Sequence, residues 1–102
     1  MFQFISSLKD GFTFHLRNKE MVTGGIVVAY AETQDCFGFR GFVRAFIHAS
    51  LYDGALGGWE YEGRFYFDSC RVFTDRSDAI EFGRKNGQIA VFDLDNLEEI
   101  RL

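Results

Sequence analysis

Between residues 57 and 100 the chain runs through three patterns that together leave few folds open. Two strand-forming segments, residues 59–61 and 64–70, flank Glu62-Gly63, a pair suited to the tight turn of a β-hairpin. Thr74 or Asp75 then stands where a side chain can accept from the free N–H groups that open a helix. Ala79, Ile80 and Phe82 follow at core-facing spacing, and Gly87 after Asn86 supplies a left-handed end. Residues 88–92 form a short apolar run bounded by turn formers, which reads as a buried strand. Asp95-Asn96 turns the chain back into an edge strand over residues 98–102. These residues spell architecture, and none is placed for chemistry.

The first half completes the pattern. Phe12-Thr13-Phe14-His15-Leu16 alternates and predicts a half-buried strand, while residues 17–20 are polar and turn-like. Residues 25–31 form a continuous apolar run with β-branched members, a central strand that Thr33-Gln34-Asp35 ends. From Phe39 the period changes. Phe39, Phe42, Val43, Phe46, Ile47, Ser50 and Leu51 recur at three- and four-residue spacing, so an amphipathic helix is expected until Asp53-Gly54 and Gly57-Gly58 stop it. The sum is one compact α+β domain over residues 1–102. Its mostly antiparallel sheet should have five to six strands, with two helices packed on one side.

Size and composition agree with this. The 102 residues include thirteen Phe, four Tyr and one Trp, whose large buried areas let a small chain build a core. Proline is absent, which argues against extended linkers. No apolar run is long enough to span a bilayer, and residues 1–5 lack the basic start and long apolar stretch of a secretory leader. Cys36 and Cys70 are fewer than a small secreted scaffold carries, so reduced, buried thiols in a cytosol are expected in preference to a disulfide. Residues 1–59 balance five acids against five bases, whereas residues 60–102 hold ten acids against six bases. The whole net charge of −4 therefore lies in the second half, which disfavours a general nucleic-acid binder and is too sparse for a DNA mimic.

Gly11-Phe12-Thr13, Thr23-Gly24-Gly25, Gly57-Gly58-Trp59, Asp75-Arg76 with Ala79-Ile80, and the run Asn86-Gly87-Gln88-Ile89-Ala90-Val91-Phe92-Asp93-Leu94 carry a resemblance. The chain is similar to a group of small accessory proteins of phages, prophages and mobile elements. In those, a hairpin, a "DR..A" helix and an "NGQ.A.FDL" strand follow one another near the C-terminus. The resemblance covers the whole chain loosely and residues 57–100 more closely. Its motifs are structural, so no catalytic residue carries over. It implies a cytoplasmic protein of a bacterial host cell that binds and disables a host defence factor, as anti-CRISPR and anti-restriction proteins do. That step is an analogy of lifestyle and not of site.

Arg40, Arg44, His48 and Tyr52 stand at i, i+4, i+8 and i+12, a cationic strip on one face of the first helix. It would suit an acidic protein partner or a phosphate backbone, and it is equally the solvent side of any amphipathic helix. Tyr61 and Tyr66 should project from the hairpin, with Trp59 beside them, because Phe65 and Phe67 point to the opposite side from Arg64, Tyr66 and Asp68. Trp, Tyr and Arg dominate protein interface hot spots, and base stacking is the rival use of the same patch. Glu60, Glu62, Asp68, Asp93, Asp95, Glu98 and Glu99 could pair for acid–base work or hold Mg²⁺, but they read more simply as solubilising charge that blunts a sheet edge. His15, His48, Cys36 and Cys70 lack the close ligand pairs of a zinc site. Gly57-Gly58 lacks phosphate-loop spacing and is explained by a tight turn.

The expectation is a monomeric or homodimeric protein without cofactor, metal or catalytic group, acting by stoichiometric binding. The interface is expected at Arg40, Arg44, His48, Tyr52, Trp59, Tyr61 and Tyr66, and the partner is expected to be a CRISPR effector or restriction enzyme. The alternative is a small nucleic-acid-associated or regulatory module using the Arg40/Arg44/His48 face.

Overall fold

A computed structural model describes residues 11–102, and residues 1–5, read above for a leader, lie outside that range. Among the described residues seven strands make one antiparallel sheet: β1 (Phe12–His15), β2 (Glu20–Met21), β3 (Ile26–Ala29), β4 (Ala55–Tyr61), β5 (Arg64–Phe73), β6 (Ala90–Asp93) and β7 (Glu98–Arg101). Their spatial order is β2-β1-β4-β5-β3-β6-β7. Two helices, α1 (Gly38–Leu51) and α2 (Arg76–Lys85), pack on one face, as the sequence pattern implies.

The strand count corrects the expectation of five to six. The extra strand is β2, whose Met21 and Glu20 pair with Phe14 and His15 where a turn was expected. The turn is tighter than the polar run implied. The Lys19 N–H donates to the His15 carbonyl at 2.8 Å, and Lys19 takes a φ of +57°. Two residues are too few for any periodicity to announce them.

The hairpin turn falls where the sequence puts it. Glu62 and Gly63 have φ of +50° and +79°, the positive pair that a two-residue turn needs to match strand twist. Asp75 caps α2 by accepting from the Asp78 N–H at 3.0 Å.

Gly57-Gly58 is not a turn but the middle of β4, paired with Thr13 and Phe12 on one side and Asp68 and Phe67 on the other. Close approach, not backbone angle, requires these glycines. A Cβ on Gly58 would overlap the Phe12 ring and stand 2.9 Å from that of Phe65.

The buried face of α1 is also rotated from the expected one. Gly41, Phe42, Ala45 and Ala49 are buried, with Phe46 packed against the same core. Ile47 and Leu51 instead remain 54% and 75% exposed. Small residues win because they let the helix axis come down onto Cys36 and β5. A Cβ on Gly41 would lie 3.0 Å from the Cys36 Cα. This core holds Phe42, Ala45, Ala49, Leu56 and Phe67, and a second under α2 holds Ile26, Val28, Ala79, Val91 and Ile100.

The other face of the sheet carries no helix among the described residues. Four interstrand spacings separate β2 from β3, about 19 Å if the sheet were flat. Met21 and Ile26 are joined by only five Cα steps, which reach at most about 18 Å when fully extended. The sheet must therefore curl, and the connecting Val22 and Thr23 become a wall of the hollow on its open side.

Candidate functional site: the open face of the sheet and the hairpin aromatics

Strand alternation decides what lines that hollow. Pairing puts Thr13, Gly57 and Asp68 in one row and His15, Ala55, Cys70 and Ala29 in the next, with Val27 and Phe92 further along. The cavity has a volume of about 710 Å³, and Asp68 and Cys70 lie in its floor. Asp68 is only 8% exposed, and its Oδ1 accepts from the Cys70 thiol at 2.7 Å. Burial raises the Asp68 carboxyl to about 6, although the thiol's hydrogen bond works against this. The Cys70 thiol is held well above its ordinary value by burial first and by the neighbouring carboxylate second. Cys36 is likewise buried, and burial pushes its thiol up, while Arg44 opposes the shift. Both cysteines are free and protonated, as the sequence composition implied. A protonated, buried thiol is a poor nucleophile, and Cys70 serves instead as the hydrogen-bond donor to Asp68.

Asp68 therefore corrects its reading as surface charge. A polar residue on an alternating strand is expected to face water, but curling of the sheet folds that face inward. The signal that could have found it is Gly57. A Cβ there would overlap the Asp68 carboxyl and lie 2.9 Å from the Cys70 Sγ, so the glycine makes room for the acid across the strand. Asp93 is explained differently, as the organiser of the last turn. It accepts from the backbone N–H of Asp95 and Asn96 and from Asn96 Nδ2, and the Asn96 side chain is the main cause of its lowered pKa. Asp95 reaches back to accept from Gly25 at 3.2 Å. No group of three or more His, Cys, Asp or Glu suited to a metal occurs among the described residues.

The expected interface residues divide into two places. At the mouth of the hollow, Trp59 and Tyr66 stack at 5.5 Å with 14° between their planes. Tyr66 also meets Phe37 at 5.8 Å, and the Arg64 guanidinium lies 4.7 Å over the Phe37 ring. Trp59 and Tyr61 are exposed, Tyr66 is half-buried, and Phe37 and Arg64, not anticipated from sequence, extend the patch. Phe37 joins it through an isolated bridge to Tyr66, which puts the start of α1 and its exposed Arg40 next to β5.

At the far end of α1 the strip loses its character. Arg44 is exposed, but the His48 side chain is only 13% exposed. His48 stacks on Tyr52 at 4.1 Å and lies 5.0 Å from Tyr30, which touches Phe82 of α2. The Tyr30 hydroxyl donates to Asp53, and burial followed by that carboxylate raises its pKa to about 12. Both His48 ring nitrogens lack a hydrogen-bond partner among the described residues, and the Glu32 carboxylate is 3.9 Å from Nε2. This end of the strip is an aromatic seam between the helices. Arg40 and Arg44 remain as its exposed cations.

Comparison with protein-family models, with curated proteins and with solved structures returns no match. No helix among the described residues is long and apolar enough to cross a membrane.

Proposed function

We propose that the protein is a stoichiometric, non-catalytic binder of another protein, and that its contact surface is the aromatic patch of Trp59, Tyr61, Tyr66, Phe37 and Arg64 continued by Arg40 on α1. The observation that carries the reading is the stacked Trp59–Tyr66 pair, extended by Phe37 and the guanidinium over it. Aromatic and guanidinium groups already locked by mutual stacking lose little freedom on association, and such residues supply most of the energy in protein interfaces. The resemblance to accessory proteins of phages and mobile elements makes a bacterial defence protein, a CRISPR effector or a restriction enzyme, the proposed partner. The nucleic-acid alternative is weaker, because His48 is turned into the seam and two arginines do not offset a net charge of −4.

The test is capture by tagged protein from a bacterial lysate rich in defence systems, washed at moderate salt, followed by a cleavage assay with the captured enzyme. A single defence protein retained at equal stoichiometry and inhibited is the expected result, lost when Trp59→Ala and Arg64→Glu are combined. Retention of nucleic acid instead, or inhibition undiminished in the double variant, refutes the reading.

A further inference from the structure

We propose that the hollow on the open face of the sheet is a binding site for a small organic cation, a flat apolar body bearing one protonated amine that pairs with Asp68. This goes beyond the protein-binding reading and does not depend on it. The volume of about 710 Å³ lies in the range of small-molecule sites. Among the described residues its chemistry is one-sided, with two carboxylates, Asp68 and Glu99, on its lining and no Lys, Arg or His. Met21, Trp59, Phe92 and Leu97, all exposed large apolar residues, line the same space. A ligand there meets apolar walls, an aromatic face and a negative floor.

The floor calls for a cation specifically. Asp68 is a nearly buried carboxyl whose one hydrogen bond among the described residues comes from a neutral thiol. A carboxylate withdrawn from water without a positive partner is costly, and an ammonium group supplies both the charge and the missing donors. Gly57 lets the carboxyl lie in the floor of the hollow, since a Cβ there would overlap it. Trp59 offers its ring to the same cation. The ionisable groups among the described residues that face the ligand are Asp68 and Cys70 from β5 and Glu99 from β7. With the Asp68 carboxyl at about 6, amine affinity should fall as pH is lowered through that value.

Tryptamine, indole-3-propionate and 3-ethylindole share one apolar body and differ in charge, so calorimetric titration of the intact protein with each at pH 7.5 separates charge from apolar contact. Tryptamine should bind about tenfold or more tightly than either analogue, and Asp68→Asn should remove that advantage. Backbone amide shifts on adding tryptamine should centre on Gly57, Cys70, Ala29 and Phe92. The thermal midpoint of Asp68→Asn reports whether that variant is folded, and the amide shifts test the wild type without it. Equal binding of the three compounds, an unchanged preference in Asp68→Asn, or shifts confined to the helices overturns the proposal. So does failure of tryptamine to bind.

Discussion

Replacing Asp68 by Asn removes a charge from the sheet interior while preserving shape and the acceptor that Cys70 uses. The carboxyl stands at about 6 against an ordinary 3.8, and burial is the main cause. A folded-state value above the unfolded one means that the folded protein holds the proton more tightly. Stability from this group is therefore fully present below the unfolded value and is lost as pH rises through the folded value. Two or so units correspond to about 3 kcal/mol at pH 7 and about 0.5 kcal/mol at pH 4. Asp68→Asn should be more stable than the wild type by those amounts, because the amide has no charge to desolvate. For a domain of this size the neutral-pH gain raises the thermal midpoint by about 15 °C. Urea unfolding followed by fluorescence of the one tryptophan, Trp59, measures both values on both proteins. Equal midpoints at pH 7 would refute the argument, as would a gap that stays constant down to pH 4. The first result would mean that water in the hollow solvates the carboxylate fully, and the second that the difference does not arise from its charge.

Three other outcomes follow from local geometry. His48→Leu should leave stability unchanged or raise it, within about 1 kcal/mol, because neither ring nitrogen has a hydrogen bond to lose among the described residues; a clear fall in thermal midpoint would contradict this. Glu62→Asn should stabilise by about 0.5 kcal/mol, since Asn accepts the φ of +50° more readily ahead of Gly63, and thermal unfolding would detect the opposite sign. Cys36 and Cys70 should resist an aromatic disulfide reagent at pH 8 in the folded protein and react in urea. Rapid labelling of either thiol in the native state would show that it is neither buried nor protonated as described.

Much of the fold was legible because it rests on local rules. The Glu62-Gly63 turn follows from the need for positive φ at two adjacent residues, and the start of α2 from a carboxylate beside free N–H groups. Alternation placed Phe65 and Phe67 opposite Tyr66 and Asp68, which the pairing bears out. The expected sites were less legible. Trp59 and Tyr66 come together, with Tyr61 two residues further along β4, but Phe37 and Arg64 enter that patch through the bridge between the α1 entrance and β5. His48 leaves its strip because a residue of α2, Phe82, closes the seam beside Tyr30.

Sequence alone determined the α+β class, the hairpin, the two helices and the free thiols, since each depends on the residues' own periodicity, turn angles or number. Tertiary structure alone decided which side of α1 is buried, why Gly57 and Gly58 lie inside a strand, and that Asp68 belongs to a hollow rather than to the surface. Those outcomes depend on how closely one segment approaches another. Gly41 is chosen by the Cys36 backbone, Gly58 by the Phe12 ring, and Gly57 by a carboxyl and a thiol one strand away. The curl that encloses Asp68 comes from a four-residue link between strands set four places apart in the sheet. No local pattern encodes a strand order, so no local pattern could reveal what that order brings together.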